Sequence, residues 1–251
     1  MNLAISFRSE LLKTKRTASW YFAIIIAIIV SVIFVLTVAG NDSSPKINPW
    51  TAIFNEEFKS LNLLVLPLFT ILVCTLLPQI EYRNNTWKQV HASPQKIVHI
   101  YLSKFLMVQA LLVLFLVIFL ASAVLCALLC AIAHPSLLLL ETAPDWYALV
   151  QKTIQTYVSI LAVSVIQFNL GLILKNFIAP IATGFLLWLL GNVLLFEMHS
   201  SLTYIFPYSF SAMTAFPQYN GSSLWIGIAS AGLSITMLAG GYFLYIRKLN
   251  K

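Results

Sequence analysis

Residues 105–133 read FLMVQALLVLFLVIFLASAVLCALLCAIA, an unbroken run without one charged side chain. A hydrocarbon core about 30 Å thick needs roughly 20 helical residues to cross it. The run is longer than that, so it predicts a membrane-spanning helix that tilts or projects beyond the bilayer. The whole chain has the same character. Hydrophobic residues make up 60% of its 251 positions and charged residues 9%, about a third of the charged share of a soluble domain. So few charges cannot build a water-facing surface, and the surplus apolar surface must face lipid.

Working outward from that run, Ser19–Ala39 and Leu61–Ile80 precede it, and Thr153–Leu174, Phe177–Phe196 and Leu224–Ile246 follow it; each is long enough to span. The expected fold is an all-α integral membrane protein with six transmembrane helices in a single domain, residues 1–251. The first run ends at Val38-Ala39-Gly40, which resembles a signal-peptidase site. A cleavable signal has an apolar core of roughly 7–15 residues, however, and Trp20–Ala39 is longer, so it reads as a retained span. Only Lys175-Asn176 separates the fourth and fifth runs, and Pro180 opens the next helix, which predicts a tight hairpin.

The net charge of +7 does not point to nucleic acid, because the cations sit in short segments between apolar runs rather than on one soluble face. Twelve of the fifteen fall on one side of the predicted membrane: Arg8, Lys13, Lys15, Arg16, then Arg83, Lys88, Lys96, Lys104, then Lys175, and finally Arg247, Lys248, Lys251. Lys46, Lys59 and Lys152 fall on the other, beside Asp42, Glu56, Glu57, Glu141, Asp145 and Glu197. Lys and Arg concentrate in cytoplasmic loops, so both termini are expected in the cytoplasm.

Three segments outside the spans carry information. Residues 1–17 predict an amphipathic helix with Leu3, Ala4, Phe7 and Leu11 on one face and Arg8, Lys15 and Arg16 elsewhere, suited to lying along an anionic inner leaflet. The cytoplasmic loop 81–104 predicts two short helices. Trp87, Val90 and His91 share a face of the first, with Arg83 and Lys88 available for a partner or lipid phosphates; Ser93 caps the second, with Pro94 at its first position. Such a helix suits either transmission of force from a soluble partner or simple anchoring at the interface, and local physics does not choose between them. The outer segment 197–223 is too apolar for a free loop and is expected to pack at the interface or dip into it.

The order of these parts resembles the ABC-2 type permease family, the membrane subunits of ATP-binding-cassette exporters. In that family an acidic residue ends span two and is followed by a pattern like E-x-R-x-x-T-W-K and a Ser/Leu-Pro step. The matching positions are Glu81, Arg83, Thr86, Trp87, Lys88 and Ser93-Pro94, with Asn85 where glycine is common. Ser9-Glu10-Leu11-Leu12-Lys13-Thr14-Lys15-Arg16 resembles the family's lead into span one, and Phe206-Pro207-Tyr208-Ser209 is a third, shorter match. Compact length and the Trp-Lys step are most similar to the bacitracin and lantibiotic immunity permeases.

The resemblance implies a six-span half-transporter in a bacterial cell (inner) membrane. It would dimerise with a second permease subunit, a homodimer or a similar chain, and bind cytosolic ABC ATPase subunits. Glu81, Arg83, Asn85, Thr86, Trp87, Lys88, Val90 and His91 would form the ATPase-coupling segment, with Glu81 and Arg83 paired at its root. Residues 1–17 would be the connecting helix. This chain would bind no cofactor, ATP and magnesium being held by the partner ATPase. The implied cargo is amphipathic: an antimicrobial peptide, a drug or a lipid-like molecule moved outward.

Other residues bear on function directly. No G-x-x-x-x-G-K-[ST] occurs, so any ATP hydrolysis must come from another polypeptide. No H-E-x-x-H occurs, and His91, His99, His134 and His199 lack metal-ligand spacing. Gln109, Gln155, Gln167, Asn169 and Asn192 are uncharged polar residues within the spans, able to line a substrate path or to hydrogen-bond between helices. Pro67 and Pro78 in span two are either hinge points or tolerated kinks. Cys74, Cys126 and Cys130 read as small packing residues. The competing function class is a membrane-embedded enzyme, an intramembrane protease or lipid transferase, whose catalytic set would come from His134, Glu141, Asp145, Glu197 and His199 at the outer edge.

Overall fold

The computed structural model describes residues 3–15, 17–39, 49–83, 95–133, 142–174 and 176–249, and no strand occurs among them. The helices are α1 (Leu3–Thr14), α2 (Ala18–Ala39), α3 (Pro49–Ser60), α4 (Leu66–Arg83), α5 (Ile97–Ala133), α6 (Trp146–Ile173), α7 (Ile178–Phe196), α8 (Phe210–Ala215) and α9 (Ser223–Leu249). A π-helical turn, Leu61–Val65, joins α3 to α4 without a break.

Five helical stretches are long and apolar enough to cross a membrane: Trp50–Glu81, Ile97–Ile132, Trp146–Ile173, Ile178–Phe196 and Ser223–Lys248. The count reaches six if α1 and α2, which meet at a 72° bend, are taken together as one span. The chain is thus an all-α, multi-pass membrane protein.

Two boundaries differ from the sequence reading. Span two extends outward by three turns, because α3 runs into it through the π turn. Span three begins at Ile97, so residues 97–104, expected as a separate short helix, form the first two turns of α5. Neither glycine nor proline occurs from 97 to 133, and Ile97, Val98, Ile100 and Tyr101 continue the apolar pattern. At 1.5 Å per residue the 37-residue helix is about 55 Å long and must extend past the hydrocarbon.

α6 packs against α4 and α9, and α5 packs against α1 and α2. Aromatic rings fill the seams: Phe69 of α4 stacks on Phe115 of α5 with centroids 4.3 Å apart, and Tyr101 of α5 meets Phe168, Tyr242 and Tyr245. The prolines of span two have identifiable consequences. Pro67 has no N–H to give to the carbonyl of Leu63, and that oxygen instead accepts from Trp188 Nε1 of α7 at 3.0 Å. Pro78 likewise leaves the carbonyl of Cys74 without its helical donor, and Gly171 of α6 packs directly against it. A Cβ at 171 would sit 2.6 Å from Cys74 O.

The outer segment 197–223 folds into 3₁₀ turns (Ser201–Tyr204, Pro207–Ser209, Pro217–Ser222) around α8. Phe210, Ala212 and Met213 bury against Leu195 and Ile226. Tyr208 descends beside Gly191 of α7, where a Cβ would come within 2.9 Å of the Tyr208 backbone, and its hydroxyl donates to Gln167 Oε1 of α6 at 3.1 Å. The segment therefore dips among the helices.

Candidate functional site

Four charged side chains from three helices meet at one end of the helices, the end expected to face the cytoplasm. α1 contributes Glu10 and Lys13, one turn apart; α4 contributes Glu81 near its last turn; α5 contributes Lys104 from the part that extends beyond the long apolar run. Lys13 Nζ lies 2.8 Å from Glu10 Oε1 and 3.0 Å from Glu81 Oε1. Lys104 Nζ lies 3.3 Å from Glu10 Oε1 and is hydrogen-bonded to the same Glu81 oxygen. Two carboxylates and two ammonium groups thus form a closed, neutral ring. Glu10, Glu81 and Lys104 are buried, whereas the Lys13 side chain is one-third exposed. Burial by itself pushes the Lys13 ammonium pKa down, but the carboxylates of Glu10 and Glu81 outweigh this and hold it above the ordinary lysine value.

The ring depends on which face α1 turns inward. The apolar face expected from Leu3, Ala4, Phe7 and Leu11 is not the buried one. Ser6, Glu10 and Thr14, spaced four apart, face the protein; Phe7 and Leu11 flank them, and Ile5 and Leu12 are exposed. In a membrane this is the favourable arrangement, because lipid accommodates the apolar side chains and the polar stripe finds partners inside. Ser6 Oγ donates to Gln95 Oε1 at 2.9 Å, so α1 also holds the chain just ahead of α5.

Of the predicted coupling residues, Glu81 is a ring member. Arg83 ends α4, while Asn85, Thr86, Trp87, Lys88, Val90 and His91 lie outside the described residues, as do Ser93 and Pro94. The partners that the structure gives Glu81 are Lys13 and Lys104; the expected pairing with Arg83 involves a side chain that is not described. Sequence reasoning missed the role of Lys104. A lone cation at the border of a 29-residue uncharged run needs an anion nearby, and that signal was available.

The polar residues of the spans are mostly engaged between helices. Gln109 donates to Ser164 Oγ and accepts from Tyr157 OH, both at 3.0 Å. Gln167 donates to the Pro180 carbonyl and fills the space left by Gly184. Asn169 accepts from Tyr101 OH at 2.8 Å and donates to Met237 O at 3.0 Å. Asn192 donates to Trp188 O within its own helix; Gln155 is half-buried on α6. Gln109 also borders a groove of about 570 Å³ lined by Phe7, Leu106, Ala110, Val113, Leu114 and Val117.

The outer-edge residues are not brought into one described cluster. Asp145 caps α6 by accepting from the Ala148 N–H at 3.0 Å. Glu197 ends α7, and His199 follows with a positive φ of 45°. His134 and Glu141 lie outside the described residues. Among the described residues no three His, Cys, Asp or Glu side chains could hold a metal ion, and the three cysteines are unpaired.

Comparison with known proteins supplies an independent finding. The family model described as ABC-2 family transporter protein matches residues 6–191, from α1 through most of α7. No curated protein and no solved structure matches the chain.

Proposed function

The chain belongs to the ABC-2 family of transporter proteins, and from that premise we propose that it is the permease subunit of an ATP-driven exporter in a bacterial cell membrane, moving an amphipathic substrate outward. ABC-2 membership makes it a transport subunit that works with an ABC ATPase. In the proposed arrangement that ATPase docks on residues 84–94, and two permease subunits, identical or similar, enclose the substrate path. ATP and magnesium belong to the ATPase. Antimicrobial peptides, drugs and lipid-like molecules all fit a path whose mid-span polar residues, such as Gln109, Gln167 and Asn169, are uncharged.

The observation that carries the coupling role is the charge ring of Glu10, Lys13, Glu81 and Lys104. The docking segment leaves the membrane just after Glu81 and returns just before α5, so the ring ties together both of its roots and α1. A push on that segment moves three helices as one body rather than bending one of them. Removing one of the ring's buried partners costs roughly 3–5 kcal/mol, enough to make it a stiff joint.

The test is a pull-down of the tagged chain in mild detergent, with the ATPase activity of the captured complex as readout. Capture of an ATPase by the natural chain and its loss with Trp87→Ala support docking at this segment. Export from intact cells should cease with Trp87→Ala while membrane insertion persists. Normal export by that variant would overturn the assignment. The purified chain alone should hydrolyse neither peptide nor lipid; activity there would favour the enzyme reading.

A further inference from the structure

Glu57 is fully buried, and among the described residues neither of its carboxylate oxygens has a hydrogen-bond partner. It lies on the inward face of α3 among Trp50, Ile53, Phe54, Phe58 and Leu61, all buried. This environment is otherwise built for apolar packing: Trp50 stacks on Phe54, and Phe58 meets Phe119 of α5 edge-on. One turn further the backbone leaves α-helical geometry in the π turn, an irregularity that occurs frequently at functional sites. There Asn62 is fully buried too; its amide donates to Phe58 O and Thr156 Oγ1, and its Oδ1 has no partner. Adjacent turns of one helix therefore present three acceptor oxygens and no donor to satisfy them.

Among the described residues, the charged groups of the neighbouring elements are committed elsewhere; Asp42, Lys46, His134 and Glu141 lie outside the described residues. α3 packs against α2, α5, α8 and the π turn. α2, α8 and the π turn offer no acid or base near it, and α5 offers the Cys126 thiol, within electrostatic reach of Glu57. Lys152 of α6 donates to Asn55 Oδ1 at 2.7 Å, and Lys59 pairs with Glu56. An unpaired buried carboxylate cannot stay charged cheaply, so the site needs a positive occupant.

We propose that Glu57 is a cation-exchange site at the outer end of span two, holding a proton while α3 is seated on α5 and accepting an organic ammonium or guanidinium group in its place. The exchange balances as carboxylic acid plus substrate cation giving a carboxylate–cation pair and one released proton. The aromatic wall suits such a group, since an ammonium already lies over it: Lys152 Nζ is 5.4 Å from the Phe58 ring centroid. The depth suits an amphipathic cation. Counting roughly 20 helical residues outward from Glu81 reaches Leu61, so Glu57 stands at the level of the outer headgroups, where a charged head would sit with its tail in the membrane.

That the cation is cargo rests on the exporter reading; the site itself does not, and its test needs no transport. The full chain in lipid vesicles is treated with dicyclohexylcarbodiimide, which modifies protonated carboxyl groups, and the adduct is located by mass spectrometry. Label is expected on Glu57 and not on Glu81, which is ion-paired with Lys13 and Lys104, and Glu57→Gln should abolish it in a chain that still elutes as a folded species. Decyltrimethylammonium should protect Glu57, with loss of label, whereas uncharged decanol should not. Equal labelling with and without the cation would make Glu57 a structural acid and overturn the proposal. Absence of label at Glu57 would overturn it as well, because a site open to a ligand must admit a small apolar reagent.

Discussion

Glu81 offers one carboxylate oxygen to two ammonium groups, and Glu10 offers one to the same pair. Lys104 is the better shielded of the two cations, 5% exposed against 33% for Lys13. Removing it leaves two buried carboxylates facing a single half-hydrated ammonium. Lys104→Met is therefore expected to lower stability by roughly 3–5 kcal/mol, and Lys13→Met by only about 1 kcal/mol because water replaces part of the lost pairing. Thermal unfolding in detergent measures both. The pH dependence has a definite sign. Lys13 is held above the ordinary lysine value of 10.5, so its contribution is complete below that value and fades as pH rises through the raised one. Lys13→Met should remove this alkaline component. Gly171 makes a different residue-scale prediction. A Cβ there meets a backbone oxygen, Cys74 O, at 2.6 Å, and a backbone cannot swing aside as a side chain can. Gly171→Ala should cost about 1–3 kcal/mol, while Gly240→Ala, with nothing within 4 Å, should be close to neutral in the same assay.

Among the elements, span two is the least regular, and its irregularities are linked to its neighbours. The Leu63 carbonyl accepts from Trp188 because the proline at 67 cannot supply the helical N–H. The two positions should therefore be coupled. Trp188→Phe in the natural chain orphans a carbonyl and is expected to cost about 1–3 kcal/mol. In a Pro67→Ala background the new N–H can serve Leu63, and the same substitution should cost less. A double-mutant cycle on thermal stability reads the difference; strict additivity would show that Trp188 contributes by packing alone. α1 is the other element whose role is decided by its neighbours. Its buried stripe of Ser6, Glu10 and Thr14 is useful only because Gln95 and Lys104 stand opposite.

For the whole molecule, the charge asymmetry and the helix order make one topological prediction. In a background lacking Cys74, Cys126 and Cys130, a cysteine replacing Lys96 should react with a membrane-impermeant maleimide only after the cells are opened. A cysteine replacing Lys59, whose side chain is 40% exposed, should react from outside. The reverse pattern would invert the molecule and place the charge ring outside, out of reach of any ATPase. The family match covers residues 6–191, which includes the ring and residues 84–94 and stops within α7.

The all-α, multi-pass membrane character was determined by the sequence alone, because apolar length acts locally and the bilayer rewards it one helix at a time. The family was legible through the resemblance, whereas residues 84–94 of the expected coupling segment lie outside the described residues. What tertiary structure decided is pairing. Whether α1 turns an apolar or a polar face inward depends on what its neighbours present, and Lys104 finds Glu10 across 94 positions of chain. Glu57 illustrates the same limit from the other side. The sequence placed it only among the outer-side charges, and its burial emerges once α3 packs against α2, α5, α8 and the π turn. Hydropathy reports how much of a helix avoids water; it does not report which face meets protein, and in a membrane both faces avoid water equally well.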